Sequence, residues 1–172
     1  MNILKYTLEM KWAIFFNVMF LAWMVFERVS GWHDTHIHLH QTRTNIFAIP
    51  AILMYLFALL DFKRDADFMH LPFKIGFLFG LRTTLFITLL SPFMQLIVSY
   101  LITPHFFDNA IQYSVSSGYF TLLEAEAYFN IKSYLMMSVF GSLIMGIATS
   151  ALVSGCFSLF QLIKNPAHGK GY

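Results

Sequence analysis

Residues 73–102 read FKIGFLFGLRTTLFITLLSPFMQLIVSYLI, and Arg82 is the only charged side chain after Lys74 in this stretch. As one α-helix it would be about 45 Å long at about 1.5 Å per residue, which exceeds the roughly 30 Å hydrocarbon core of a bilayer. Pro72 suits the first helical position, and Pro92 is the predicted site of a kink. The stretch therefore predicts a membrane-spanning helix that is tilted, kinked or extended beyond the bilayer.

Three further apolar runs cover residues 12–29, 44–60 and 133–163. Thr44 or Asn45 is predicted to cap the second of them. The chain is 58% hydrophobic and only 12% charged, whereas soluble domains average about 45–50% apolar and about 25% charged residues. These values exclude a soluble globular domain and a disordered chain. We predict an all-α fold, an integral membrane four-helix bundle that forms a single transmembrane domain over residues 1–172.

Lysine and arginine are distributed unequally between the two sides of this four-span arrangement. By the positive-inside rule, the richer side faces the cytoplasm, which places both termini there and the loops 30–43 and 103–132 outside. The net charge of +2 does not indicate a nucleic-acid-binding surface. The richer side carries Lys5, Lys11, Lys63, Arg64, Lys74, Lys164 and Lys170, and the poorer side carries Arg28, Arg43 and Lys132.

The loop between the third and fourth spans, residues 103–132, has the pattern of an extramembrane helical hairpin. Thr103-Pro104 is typical of an N-cap followed by proline at the first helical position, and Gly118 of a helix stop. Thr121 and Glu124 have the spacing of a capping box, which begins a second short helix. The hairpin is predicted either to lie on the bilayer surface or cap the bundle, or to act as a lid or a partner-docking element.

The loop between the first and second spans is rich in histidine, with four of the seven histidines in residues 33–40. A helix would place His33, His36 and His40 on one face, whereas a strand would align His36, His38 and His40. Either set offers imidazole nitrogens to zinc or a similar divalent metal. Glu27 or Asp34 would supply an oxygen ligand. The alternatives are solvated histidines near the lipid headgroups, or a pH sensor.

Polar side chains within the spans provide a second group of candidates. Arg82 is predicted near the middle of the bilayer, from where it would reach toward Asp61. It serves either as a structural anchor or in binding a substrate or ion. Asn17, Gln95 and the Thr83-Thr84 pair are expected to form hydrogen bonds between helices.

The fourth span carries a ridge of small residues that recurs every fourth position. A matching pair of glycines, Gly76 and Gly80, lies on the third span. Small residues at this spacing let helices approach closely, so the ridge is predicted to pack against the third span or, alternatively, to form a homo-oligomer. The ridge contains Ser138, Ser142, Gly146, Ser150, Ser154 and Ser158.

The stretch 27–51, which includes Glu27-Arg28, His33-Asp34 and Phe47-Ala48-Ile49-Pro50-Ala51, resembles the domain of unknown function 4199 family, as do Ser91-Pro92, Thr103-Pro104 and residues 124–130. The resemblance implies a small bacterial inner-membrane protein with four spans and no established activity. It favours His33, His36 and His40 as the patterned histidines, from which His38 departs.

The sequence contains no Walker loop, GxSxG, HExxH or CxxC motif. We therefore predict a non-enzymatic inner-membrane protein whose outward elements bind a partner, a lipid or a second copy. The alternative is a metal-binding membrane protein, enzyme or transporter centred on Glu27, His33, Asp34, His36 and His40. A further alternative is a small-solute transporter that uses Arg82.

Overall fold

The computed structural model describes residues 7–164, which are helical except for short turns and contain no strand. Lys5 and Lys170, used in the charge comparison, lie outside the described residues. Four segments are long and apolar enough to cross a membrane, which confirms the predicted all-α membrane bundle. These spans cover Thr7–Val29, Ile37–Asp65, Phe73–Ile102 and Ile131–Lys164.

The first span is one helix, α1 (Thr7–Val29), whereas the second is built from three pieces. A short helix, α2 (Ile37–Arg43), leads through a 3-10 turn (Thr44–Phe47) into α3 (Ala48–Asp65). The predicted cap at Thr44 or Asn45 is wrong. The backbone N–H groups at the start of α3 already donate to carbonyl groups of the preceding turns, so they need no side-chain cap. Asn45 instead donates its side-chain amide to the carbonyl of Gln41 at 2.9 Å.

The third span consists of α4 (Phe73–Ile97) and a π-helical turn (Val98–Ile102). The chain stays α-helical through Pro92, and it departs from α geometry at the π turn. The kink at Pro92 stays a prediction. The backbone N–H of Thr103 closes this turn on the carbonyl of Val98 at 2.7 Å. The Thr103 hydroxyl donates to the same oxygen at 3.2 Å.

The fourth span, α7 (Ile131–Lys164), packs along α4 through the ridge of small residues. A Cβ atom added to Gly80 would lie only 2.7 Å from Ser150 Oγ, and one added to Gly146 would lie 2.7 Å from Thr84 Oγ1. Ser142 Oγ donates to Thr88 Oγ1 at 3.1 Å. The ridge therefore packs within the chain, as the first interpretation predicted, and Ser150 and Ser154 are buried there. Self-association through the ridge stays a prediction.

The core of the bundle lies where α1, α3, α4 and α7 meet. Phe79 is 1% exposed, and its ring stacks on Phe62 with the ring centroids 4.3 Å apart. Tyr55 Oη and Thr84 Oγ1 form a hydrogen bond of 2.7 Å between α3 and α4. This bond confirms the predicted role of Thr84 between helices.

A helical hairpin follows the third span, with α5 (Phe106–Ser116) and α6 (Leu122–Tyr128). The capping box of α6 is present, with Glu124 Oε2 accepting from the Thr121 N–H at 2.9 Å. This bond holds the pKa of the Glu124 carboxyl below its usual value. Gly118 adopts a φ of +72° just beyond α5, as its predicted role as a helix stop requires.

The predicted start of the hairpin at Thr103-Pro104 is wrong by two residues. The first helix, α5, begins at Phe106, and His105 occupies the N-cap. The reason is that both donors of Thr103 close the π turn of the preceding span.

The loops divide between the two ends of the bundle. We call the end that carries residues 30–47 and the α5–α6 hairpin the histidine end. At the opposite end, the turn between α3 and α4 is tied to α7, because the Leu71 N–H donates to Gln161 Oε1 at 3.0 Å. At the histidine end the two loops meet, because Asn109 of α5 donates its side-chain amide to the His33 carbonyl.

Candidate metal centre at the histidine end

Glu27 is the most deeply buried charged side chain at the histidine end, with no exposed surface. It lies in the last turns of α1, one turn after Trp23, whose indole Nε1 donates to Glu27 Oε1 at 2.5 Å. The other carboxylate oxygen, Oε2, lies 2.9 Å from His33 Nε2. A buried carboxylate is costly unless such donors or a metal surround it, so this glutamate requires its polar neighbours.

Gly31 makes the turn that returns the chain toward Glu27. Its φ of +76° is in the left-handed region that favours glycine, and an added Cβ would lie 2.5 Å from Thr35 Oγ1. The Trp32 N–H donates to the carbonyl of Glu27 at 3.0 Å, and the His36 N–H donates to that of Gly31 at 2.7 Å. These bonds fold residues 30–36 back over the end of α1 and direct His33 toward the carboxylate.

His40 approaches the same carboxylate from α2. Its Nδ1 lies 3.5 Å from Glu27 Oε2, and the ring centroids of His33 and His40 are 5.0 Å apart. One ligand atom from each of Glu27, His33 and His40 lies within 4.8 Å of the others. Ligand atoms about 2.0–2.1 Å from a tetrahedral zinc ion are about 3.4 Å apart. The distances of 2.9 Å and 3.5 Å from Glu27 Oε2 to the two imidazoles are close to that spacing.

Both histidines have an unsatisfied ring nitrogen. Within residues 7–164, neither His33 Nδ1 nor His40 Nδ1 has a hydrogen-bond partner, although both atoms are buried. His33 is only 5% exposed. Buried polar groups are nearly always paired, so the two nitrogens are exceptions, and that of His40 faces Glu27 Oε2 at 3.5 Å.

The hairpin covers the cluster from the side opposite α1. The Phe106 ring, at the start of α5, lies 5.2 Å from the His33 ring and 5.0 Å from the His40 ring, measured between centroids. One turn later, Asn109 Nδ2 donates to the His33 carbonyl at 2.9 Å. The sequence analysis did not identify Trp23, Phe106 or Asn109 as part of the site. Of these, only Trp23 could have been found, because it lies four residues before Glu27 on the same helical face.

Two of the five predicted ligands do not join the cluster. Asp34 is exposed and binds the N–H and hydroxyl of Thr35. The backbone bond from Thr35 holds the pKa of the Asp34 carboxyl below its usual value. His36 is also exposed, with its Nδ1 3.1 Å from Thr35 Oγ1. The reason is local: residues 30–36 form turns and α2 begins only at Ile37, so neither the helical nor the strand pattern applies throughout.

The predicted approach of Arg82 to Asp61 is wrong. Arg82 Nη1 lies 3.5 Å from Glu9 Oε1 in the first turn of α1. Asp61 instead accepts from Lys11 Nζ at 2.8 Å and from Trp12 Nε1 at 3.0 Å. Arg82 thus joins α4 to α1. Its two predicted roles, as a structural anchor and in binding a substrate or ion, both stay predictions.

Asn17 and Gln95 do not form the predicted bonds between helices. Asn17 Nδ2 donates to the Ala13 carbonyl at 2.8 Å, and Gln95 Nε2 donates to Ser99 Oγ at 3.0 Å. Each bond stays within one span, because the partner lies four residues away on the same helical face. Both side chains line a cavity between the spans.

Residues 11–160 match the family described as Protein of unknown function (DUF4199). The chain belongs to the DUF4199 family. No curated protein and no solved structure gives a significant match. Membership confirms the resemblance found in the sequence, and it assigns no activity to DUF4199 proteins.

Proposed function

We propose that this DUF4199 protein binds a divalent metal ion, preferably zinc, through Glu27, His33 and His40. The observation that carries the proposal is the convergence of three ligand atoms within 4.8 Å of one another. Two imidazoles and one carboxylate form a ligand set that zinc accepts, and iron(II) is the main competitor.

Burial and hydrogen bonding support the same conclusion. A divalent ion would neutralise the fully buried Glu27 carboxylate and bind a ring nitrogen of each histidine. Trp23 would then act as an outer-sphere donor that fixes the orientation of the carboxylate. Three protein ligands would leave one coordination position for water, and the Phe106 ring packs against both imidazoles.

We place the protein in the bacterial inner membrane with both termini in the cytoplasm and the histidine end facing outward. The support is the positive-inside rule, applied to a bundle with four helical segments that are long and apolar enough to cross a membrane. Of the described cations, Lys11, Lys63, Arg64, Lys74 and Lys164 belong to the predicted inner side, whereas Arg28, Arg43 and Lys132 belong to the histidine end.

The metal content of the purified full chain tests the proposal. We expect about one zinc ion per chain after equilibration with zinc and removal of free metal. Changing a residue that only orients a metal ligand typically weakens metal binding by about 10–100-fold. His33→Ala and His40→Ala should each weaken zinc binding by more than that. His36→Ala and His38→Ala are the matched controls and should retain the metal. Equal metal content in all five proteins would contradict the proposal, and iron(II) in place of zinc would correct the identity of the ion.

A second candidate function is interfacial binding by the α5–α6 hairpin, to lipid, a partner or a second copy. It is favoured by the exposure of apolar side chains around the start of α6, where Leu123 is 79% exposed beside the exposed Leu122 and Tyr119. Large apolar and aromatic side chains at this level of a membrane protein are typical of contact with lipid headgroups. We infer that this surface lies against the bilayer interface.

The depth of a spin label tests this second candidate. In a Cys156→Ala background, a nitroxide on Leu123→Cys should be more accessible to oxygen than to a water-soluble nickel reagent. A label on Asp108→Cys, an exposed acidic position of α5, is the control and should show the reverse. If both labels are equally accessible from water, the hairpin does not contact the bilayer.

A further inference from the structure

A cavity of about 600 Å³ lies between α3 and α7, in the half of the bundle nearer the histidine end. Its lining residues Met137, Gly141 and Met145 on α7 are exposed, as is Ile52 on α3. The cavity therefore opens sideways, toward the surface that the bilayer surrounds. Its volume lies within the range of about 300–1,000 Å³ that is typical of small-molecule sites.

The lining changes in character from the mouth to the back of the cavity. The mouth is mainly apolar, whereas Asn17 and Ser91 at the back are buried and polar. Ser91 Oγ is already engaged, donating to the Ser138 carbonyl at 3.1 Å, and Asn17 is bonded within α1. Both side chains already have a hydrogen-bond partner, so a ligand need not supply one. The remaining lining is mainly apolar and suits a hydrocarbon chain.

The cavity is too small to enclose a transmembrane helix. A helix is about 10–12 Å across and rises about 1.5 Å per residue, so 600 Å³ would hold only about five residues of one. A hydrocarbon chain is much narrower. The bilayer that surrounds the open side supplies such chains at high concentration.

Two exposed cations are close in sequence to residues that line the end of the cavity nearer the histidine end. Arg43 immediately precedes Thr44 and Asn45, which line the cavity, and Lys132 lies two residues before Tyr134, which also lines it. Both cations are exposed. Arg43 ends α2, and Lys132 lies in the first turn of α7. A phosphate group at this end of the cavity would be attracted to both cations.

We propose that this cavity holds one acyl chain of an anionic phospholipid, whose phosphate lies beside Arg43 and Lys132. The site is separate from the proposed metal centre, although Thr44 neighbours both the cavity and Glu27. Lipid binding does not require the metal, and the two proposals can fail independently.

Native mass spectrometry of the full chain tests the proposal, after reconstitution with equal amounts of phosphatidylglycerol and phosphatidylethanolamine. We expect one retained lipid, predominantly phosphatidylglycerol. Gly141→Phe should reduce retention about tenfold or more, a change equivalent to at least about 1.4 kcal/mol. A side chain is tolerated there because nothing lies within 4 Å of an added Cβ. Ala148→Phe, exposed on the same helix and outside the cavity, is the matched control.

A second variant tests the binding of the lipid headgroup independently of the binding of the acyl chain in the cavity. Arg43→Gln combined with Lys132→Gln leaves the packing of the bundle intact and should abolish the preference for phosphatidylglycerol. Equal retention by Gly141→Phe and Ala148→Phe would overturn the proposal, as would a wild-type dimer that holds no lipid and becomes monomeric in Gly141→Phe. Zinc content, measured on the same samples, should be unchanged in Gly141→Phe, and His33→Ala should keep its lipid.

Discussion

Glu27→Ala is expected to abolish metal binding and to lower the free energy of unfolding by about 2–6 kcal/mol, since each buried polar group left without its partner costs about 1–3 kcal/mol. The carboxylate has no exposed surface and accepts from Trp23, and it lies 2.9 Å from His33 Nε2. Its loss leaves buried donors without an acceptor, which costs more than the hydrogen bonds themselves contribute. Unfolding in mixed detergent micelles, followed by circular dichroism with zinc and with a chelator, measures the effect.

Two further variants separate the metal from the hydrogen bonds. Glu27→Gln keeps an acceptor for the Trp23 indole but removes the charge, so it should be more stable than Glu27→Ala in chelator and gain little from zinc. The wild type should gain about 2.7 kcal/mol when free zinc is at about 100 times the dissociation constant. Glu126→Ala changes an exposed carboxylate and serves as the control. A zinc-dependent gain in Glu27→Ala equal to that of the wild type would disprove the assignment of this ligand.

Gly80→Leu is expected to destabilise the bundle by about 3 kcal/mol or more, at or above the upper end of the range for overpacking. A Cβ at Gly80 would lie 2.7 Å from Ser150 Oγ, 2.8 Å from Ser150 Cβ and 3.4 Å from Ser150 Cα. The closest atoms belong to a short side chain on a packed helix, so α4 and α7 would have to separate. The same detergent unfolding assay measures the loss.

The chain offers a matched control and a rescue for this prediction. Gly141→Ala should be nearly neutral, because nothing lies within 4 Å of its added Cβ. Gly80→Ala should be destabilising alone and should recover most of its stability when combined with Ser150→Gly, which removes the colliding atoms. If the double variant does not recover stability, then Gly80 is not required for the close contact between α4 and α7.

Much of the architecture follows from local pattern. Length and apolarity predict the four spans, because a segment that crosses hydrocarbon must be helical and apolar over most of its length. Thr121 and Glu124 predict the start of α6 because a capping box involves only residues three apart. The repeat of small residues on α7 predicts close packing on Gly80 of α4, because the spacing alone aligns them on one face.

The candidate site depended on contacts between distant parts of the chain. The histidine pattern alone selected His36 and Asp34 as readily as His33, and it left helix and strand open. The turn at Gly31 and the position of α5 decided the set, since both determine which imidazoles enter the buried space over Glu27. The same limit applied to Arg82, whose partner Glu9 lies on α1.

The sequence by itself determined that this chain is a four-span helical membrane protein of the DUF4199 family with its histidines concentrated in one loop. Only the tertiary structure decided that Glu27, His33 and His40 converge beneath Phe106, and that a cavity opens between α3 and α7. The physical reason is that membrane insertion and helix formation depend on local composition, whereas a site depends on which helix faces meet.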